Sequence, residues 1–386
     1  MKITNIETIV FKTTTRDHMS RWWIPVVGDE VATNKTLTKI STDEGAEGYM
    51  FGGDPLITEK VIKPLLIGEN PLDREKLWHW MDQLATTTPL IHESHIGVVD
   101  CALWDLVGRM ADLPVHKLLG GCRNKVKAYG SSHLNMGDPR FYAEHVQLCK
   151  EQGYKAYKVH PLINWDPVNW EPGPQLPGSP KEDVEICKAV REAAGEDMVL
   201  MSDPHGVYTL EQAIWVGKEL EQLNFYWMEH PMSETRMEAY RRLTRELDLS
   251  IVAPERVTGS IFTRAEWVVQ GASDILRIGI EDGGITACMK MVNVCEAFGI
   301  QCEIHLSHLG AAPTLQVLGA SPEATCEYFE RGLLHPDLDY ETPPPHLKSL
   351  SDPMDDEGNV LIPQGPGLGM DINWDYINEN RVPAGE

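Results

Sequence analysis

The sequence predicts an α/β protein: a TIM-type β/α barrel carrying an N-terminal α+β capping domain. Three observations lead there. Residues 1–55 alternate polar and apolar with period two, and residues 57–112 switch to helical spacing. From residue 126 onward, short apolar strands alternate with helix signals eight times over roughly 200 residues, the count of a closed parallel barrel. At 386 residues the chain also exceeds one ordinary core.

KITNIETIVF and TLTKISTDEGAEGYMF read as antiparallel strands, with Asp43-Glu44-Gly45 as a turn. In VVDCALWDLVGRM, the residues Val99, Leu103, Leu106 and Met110 share one helical face. This first domain spans 1–120, ending near Gly120-Gly121. The expected barrel strands are 126–130, 155–160, 198–203, 225–229, 250–255, 274–279, 300–305 and 324–329. Ser179-Pro180-Lys181-Glu182 and Thr209-Leu210-Glu211-Gln212 read as capping boxes that open helices. An open doubly wound sheet would want an early Gly-rich phosphate loop, which is missing. Residues 162–180 are too Pro-rich for regular structure and read as a surface insertion or, alternatively, as part of the site. The barrel domain is taken as 121–330, and the Pro/Gly/Asp-rich segment 331–386 is expected to pack back on the capping domain.

The net charge of -24 argues against a nucleic-acid partner, whose phosphates it would repel. An anionic small molecule stays compatible if a bound cation reverses the local field. No run of roughly 18 apolar residues predicts a membrane span, and the N-terminus has no apolar signal region. The eight cysteines form no CxxC pair and read mostly as buried, reduced thiols. A cytoplasmic homo-oligomer is the expectation.

In a barrel, side chains at the C-terminal strand ends face the active-site mouth. Read in order, those ends offer Lys158 and His160, then Asp203 and His205, then Glu229, Glu255, Asp274, His305 and Glu327. Asp203, Glu229 and Glu255 recur at 26-residue intervals, one β/α unit per step. Three carboxylates on adjacent strand ends repel unless a cation relieves them, and an all-oxygen set suits Mg²⁺ better than Zn²⁺. The alternative is that each acid caps a helix or pairs with a surface lysine. Asp274 could fix one ring nitrogen of His305 and raise its basicity; equally, His305 could be a satisfied core histidine and Asp274 a loop residue. His230 and His308 read as structural neighbours, and His92 and His95 as solvated.

Taken together, SDPHG (202–206), WMEHP (227–231), APER (253–256), DILRIG (274–279), EIH (303–305) and CE (326–327) resemble the enolase superfamily, mandelate racemase subgroup. The resemblance runs over essentially the whole chain. It implies a (β/α)7β barrel under an α+β cap, Mg²⁺ on Asp203, Glu229 and Glu255, and an Asp274–His305 dyad as general acid/base. It also implies that Glu327 hydrogen-bonds the substrate carboxylate. The chain departs from the subgroup's usual pattern in three places. His160 replaces the second Lys of Lys-x-Lys, His205 replaces an Asn, and Arg277 replaces a Lys. An Asp-x-His resembles the galactonate and mannonate dehydratases of that superfamily.

A proton α to a carboxylate is a very weak acid, so its removal needs stabilisation of the enediolate and a base such as neutral imidazole or a lysine of lowered pKa. His160, Lys158, His205 and His305 give more acid/base capacity than one proton transfer needs. The expected reaction is therefore dehydration of a sugar acid to a 2-keto-3-deoxy acid. Racemisation, epimerisation or cycloisomerisation through the same enediolate is the alternative, and a non-catalytic sugar-acid or cation binder a third reading. Arg21, Trp22 and Trp23 are expected to reach over the barrel mouth to the distal end of the substrate; alternatively, the two tryptophans pack the cap core.

Overall fold

Alternating burial along two long strands builds the cap. In the computed structural model, which describes residues 1–383 except 20–24, 135, 162–164, 167–170, 173–178, 306–308 and 337, β1 (Ile3–Met19), β2 (Pro25–Thr42) and β3 (Glu47–Phe51) form an antiparallel sheet in the order β1-β2-β3. Ile3, Ile9, Phe11, Leu37 and Ile40 turn inward and are buried. Two helices, α1 (Arg74–Thr87) and α2 (Glu93–Ala111), cover that face. A Cβ on Gly48 would fall 2.2 Å from the Ala102 carbonyl oxygen, so only glycine lets β3 lie directly on α2. Val99, Leu103 and Leu106 are buried as their spacing predicts, whereas Met110, in the last turn, is 44% exposed.

Eight parallel strands follow: β4 (Lys125–Ser132), β5 (Ala156–Val159), β6 (Val199–Ser202), β7 (Phe225–Glu229), β8 (Ser250–Ala253), β9 (Ile275–Gly279), β10 (Gln301–His305) and β11 (Tyr328–Leu334). The ladder runs β10-β9-β8-β7-β6-β5-β4-β11. At the seam between β10 and β11 the Cys302 amide donates to the Thr325 carbonyl at 2.7 Å. Seven helices fill the connections: α3 (Pro139–Glu151), α4 (Pro180–Ala194), α5 (Leu210–Gln222), α6 (Met237–Glu246), α7 (Ser260–Gln270), α8 (Gly284–Phe298) and α9 (Ala311–Ala320). That is the (β/α)7β arrangement.

At α5 the Thr209–Gln212 capping box forms with both reciprocal bonds. At α4, Pro180 takes the first turn, but the Ser179 side chain makes no capping bond. Among the described residues of the Pro-rich insertion, the regular structure is a two-residue ladder, Trp165–Asp166 with Glu171–Pro172. Strand eight begins four residues later than its sequence suggests. Pro322 starts a turn that takes the amides of Thr325 and Cys326, so Glu327 precedes β11. The tail returns to the cap: the Val382 amide donates to Val10 O and the Lys12 amide to Asn380 O.

Side chains fill the barrel in layers. Tyr129, Ala156, Met201, Trp227, Val252, Ile275 and Tyr328 form an apolar floor. The polar layer lies above it, toward the C-terminal strand ends.

Candidate active site

Strand alternation places Lys158, Asp203, Glu229, Arg277, Glu303 and Glu330 above the apolar floor, and the loop after β8 brings Glu255 to them. Lys158 Nζ lies 2.8 Å from Glu229 Oε2, 2.8 Å from Glu330 Oε1 and 3.9 Å from Asp203 Oδ2. Arg277 Nη2 lies 2.7 Å from Glu229 Oε1 and 2.8 Å from Glu330 Oε2. Its Nη1 stands 3.4 Å from Glu303 Oε1, which also accepts from the Tyr129 hydroxyl at 2.9 Å. All these groups are buried, and Lys158 and Arg277 stay charged there because each meets several carboxylates. Burial pushes the Glu229 carboxyl up to about 7 and that of Glu303 up to about 8, against the pull of Arg277. Desolvation opposes the Lys158 charge, but Glu229 and Glu330 outweigh it and raise its pKa. In the metal-free protein Lys158 is therefore a counter-charge of these carboxylates.

Asp203, Glu229 and Glu255 each bring a carboxylate oxygen within 4.8 Å of the other two. Their oxygens suit a hard dication, and the cations beneath compensate only part of their charge. The loop carrying Glu255 is held from two sides. Glu234 accepts from the amides of Glu255 (2.7 Å) and Arg256 (2.5 Å). The fully buried Arg264 donates to the carbonyls of Glu255 (3.2 Å) and Arg277 (2.9 Å) and pairs with Asp282 at 2.8 Å.

Histidines ring this acidic centre. His160 Nε2 is 3.2 Å from Asp203 Oδ2. His205 follows Asp203 in a left-handed conformation (φ 61°), donating its amide to Asp203 Oδ1 at 2.9 Å. The rings of His160 and His205 are 5.8 Å apart, and those of His205 and His230 5.9 Å. His230, also left-handed (φ 42°), places Nδ1 3.3 Å from Glu255 Oε2. It supports the Glu255 carboxylate from beside the strand ends, as its position in the sequence suggests, through the irregular turn after β7. His305 Nε2 stands 3.8 Å from Glu255 Oε1. Desolvation pushes the His205 pKa down to about 4, and desolvation together with Arg277 lowers that of His305, so both rings are neutral.

Two predicted site residues lie at the other end of the barrel. Asp274 precedes β9, and its Oδ2 accepts from the Ile251 amide at 2.9 Å. The residue paired with His305 is Gly279, five positions on, or about 16 Å at strand rise. The Asp274–His305 dyad is therefore absent. The helical turn after β9 brings Glu281 near instead: a Cβ on Gly279 would lie 2.7 Å from Glu281 Oε2 and 3.3 Å from His305 Cβ, and the Glu281 charge acts on the His305 imidazole. Glu327 likewise sits at the closed end, with Lys127 Nζ at 3.2 Å and the Tyr226 hydroxyl at 3.0 Å. The strand-eight carboxylate in the polar layer is Glu330. Counting alternation from Tyr328 would have found it, had the strand been started there. Arg21, Trp22, Trp23 and His308 lie outside the described residues. His92 and His95 close the capping box of α2.

A parallel barrel with carboxylates converging at its C-terminal mouth, under an antiparallel cap, defines a class. Residues 141–376 match the enolase C-terminal domain-like family, and residues 31–120 the N-terminal domain of the mandelate racemase/muconate lactonizing enzyme family. The chain belongs to this superfamily, in its mandelate racemase subgroup. A crystal structure of D-glucarate dehydratase from Agrobacterium tumefaciens complexed with magnesium superposes with TM-score 0.92 at 40% identity, over 99% of this chain and 100% of that one. Arabinonate dehydratase of Saccharolobus solfataricus is 30% identical, with 90% of each chain covered. D-xylonate dehydratase of Haloferax volcanii is 28% identical over 90% of this chain and 85% of its own. Among the described residues, no helix is long and apolar enough to cross a membrane.

Proposed function

We propose that this protein is a Mg²⁺-dependent hydro-lyase that removes water from an acid sugar to give a 2-keto-3-deoxy acid. The observation that carries the reading is the convergence of Asp203, Glu229 and Glu255 on one point, with the neutral His305 imidazole beside Glu255. Those three residues would hold the cation. When bound, it supplies positive charge for the carboxylate end of the substrate, where charge grows as the α-proton leaves.

The chain's own groups handle the proton. A neutral imidazole can only take a proton first; the acid that elimination then needs is the imidazolium it becomes. His305 accepts the α-proton at Nε2, and Glu281, near the same glycine, stabilises the cation formed. The same Nε2–H then protonates the departing β-hydroxyl, so hydrogen and hydroxyl leave from one face as water, and the enol product tautomerises to the keto acid. β6 and β10 lie four strands apart on an eight-strand ring, so His205 and His160 face His305 from the opposite side of the barrel. There they orient substrate hydroxyls. Lys158 and Arg277 hold Glu229 in place from below.

The test is incubation of the protein with a panel of aldonic and aldaric acids with and without Mg²⁺, following 2-keto acid formation. Turnover that requires Mg²⁺ and disappears in His305→Gln is the expected result. Exchange of the α-proton with D₂O without water loss would instead make the protein a racemase or epimerase. Intact, Mg²⁺-loaded protein that neither turns over nor exchanges would overturn catalysis through an enediolate.

A further inference from the structure

A cavity of 380 Å³ lies where the cap, the start of α9 and the returning tail meet. Such a volume suits a small organic molecule. Lys35 lines it from β2, and among the described residues no carboxylate pairs with that ammonium. His346 lines it from the tail. This residue is 5% exposed, and its buried Nδ1 has no hydrogen-bond partner among the described residues. Phe51 and Phe11 pack against the ring, with centroids at 4.9 Å and 5.7 Å. A buried polar nitrogen left unpaired costs stability, and a bound acceptor would remove that cost.

The third wall is the N-terminus of α9. Gly310 caps this ten-residue helix without a side chain, and no acid occupies its first turn. A Cβ on Gly310 would meet nothing within 4 Å, so the helix opens on free space there. Gly310, Ala311 and Ala312 line the cavity, which puts the partial positive charge of the helix end beside Lys35 and His346. Burial, and then the Lys35 charge, push the His346 pKa down to about 4. The ring is therefore neutral, with one nitrogen carrying a hydrogen to donate. Asp352 also lines the cavity, but Arg331 Nε holds its Oδ2 at 3.3 Å. In a chain of net charge -24, three donors without an acid among them mark a place for an anion.

We propose that this cavity binds the carboxylate group of a small organic acid, held by Lys35, His346 and the first amides of α9. Lys35 supplies the full charge, and the imidazole and the helix end fix the direction of the oxygens. Phe51, Leu309 and Met370, in the same walls, cover the apolar part of the molecule. The carboxylate comes either from the far end of a diacid substrate or from a separate acid that bridges cap and barrel.

Metal-stripped full-length protein should be titrated with butyrate by ligand-observed NMR. Butyrate carries the carboxylate and a short apolar body but no hydroxyl. Binding in the wild type is expected to weaken about tenfold in Lys35→Met and about fivefold in His346→Phe, and to survive in Lys35→Arg. Lys35 is exposed, so its variants test the site even if His346→Phe fails to fold. No butyrate binding in the wild type, equal binding in Lys35→Met, or loss in Lys35→Arg as large as in Lys35→Met overturns the site. Kinetics with Mg²⁺ then separate the two sources, and this comparison alone rests on the dehydratase reading. A KM that rises in Lys35→Met for glucarate but not for gluconate assigns the site to the second carboxylate of the substrate. A KM unchanged for both, with butyrate binding lost, assigns it to a separate acid. Butyrate binding that depends on Lys35, in a protein that turns over no sugar acid, would remove the dehydratase reading and leave this site standing.

Discussion

Lys158 Nζ and Glu229 Oε2 are 2.8 Å apart, and each side chain is only 1% exposed. A lysine so enclosed is a fixed counter-charge. Lys158→Met leaves Glu229 and Glu330 facing each other around Arg277 alone. Removing one partner of a buried pair costs about 3–5 kcal/mol. Chemical denaturation at pH 7 should show a loss of that size; a loss below about 1 kcal/mol would contradict the network.

The role proposed for Glu281, rather than Asp274, next to His305 is tested by paired variants. Asp274→Asn disturbs only the bond to the Ile251 amide and should cost about 1 kcal/mol of stability, with kcat and the pH profile unchanged. Glu281→Gln should lower kcat at least about tenfold and move the profile limb that reports the His305 imidazole to lower pH, because an imidazolium loses a nearby negative charge. The reverse pattern would restore Asp274 as the partner.

These two residues also mark what the sequence could and could not tell. The barrel, the cap and the three converging acids were legible because they depend on periodicity and on one acid per β/α unit. Asp274 and Glu327 were misplaced because which end of a short strand a residue occupies depends on where the strand starts, and a run such as ATCEYF looks extended even while Pro322 holds its first half in a turn. Glu281 was invisible for a related reason. It lies on a single helical turn after the strand, so neither strand nor helix spacing points to it. His230 reaches Glu255 only through a left-handed backbone, which spacing does not encode.

Glu327→Gln separates the two ends of the barrel. It loses the exposed pair with Lys127 and keeps an acceptor for the Tyr226 hydroxyl. An exposed pair contributes about 0–1 kcal/mol, so stability should change little, and KM and kcat should stay within about twofold. A large rise in KM would place Glu327 against the substrate after all.

Metal linkage tests the carboxylate trio without any substrate. A ligand that binds only the folded state stabilises it by about 2.7 kcal/mol at one hundred times its Kd. Thermal unfolding of the stripped protein should therefore shift upward with Mg²⁺. Glu255→Ala should abolish that shift while leaving its own metal-free protein folded. A wild type whose unfolding temperature ignores Mg²⁺ would rule out the trio as a cation site.

Away from the site, Asp183 gives the fold a pH dependence of definite sign. It is buried, its carboxylate accepts from the Tyr208 hydroxyl, and burial pushes its pKa up to about 7. Unfolded, it returns to about 3.9. Between those values the folded state binds the extra proton, so this group makes stability fall as pH rises from about 4 to 7, with the full cost present above 7. Asp183→Asn keeps an acceptor for Tyr208 and carries no charge at any pH. It should be close to neutral at pH 5 and stabilising at pH 8, by up to a few kcal/mol. Denaturation curves at the two pH values check this: a variant that destabilises more at pH 8 than at pH 5 would mean that the Asp183 carboxylate is stabilised in the fold as an anion.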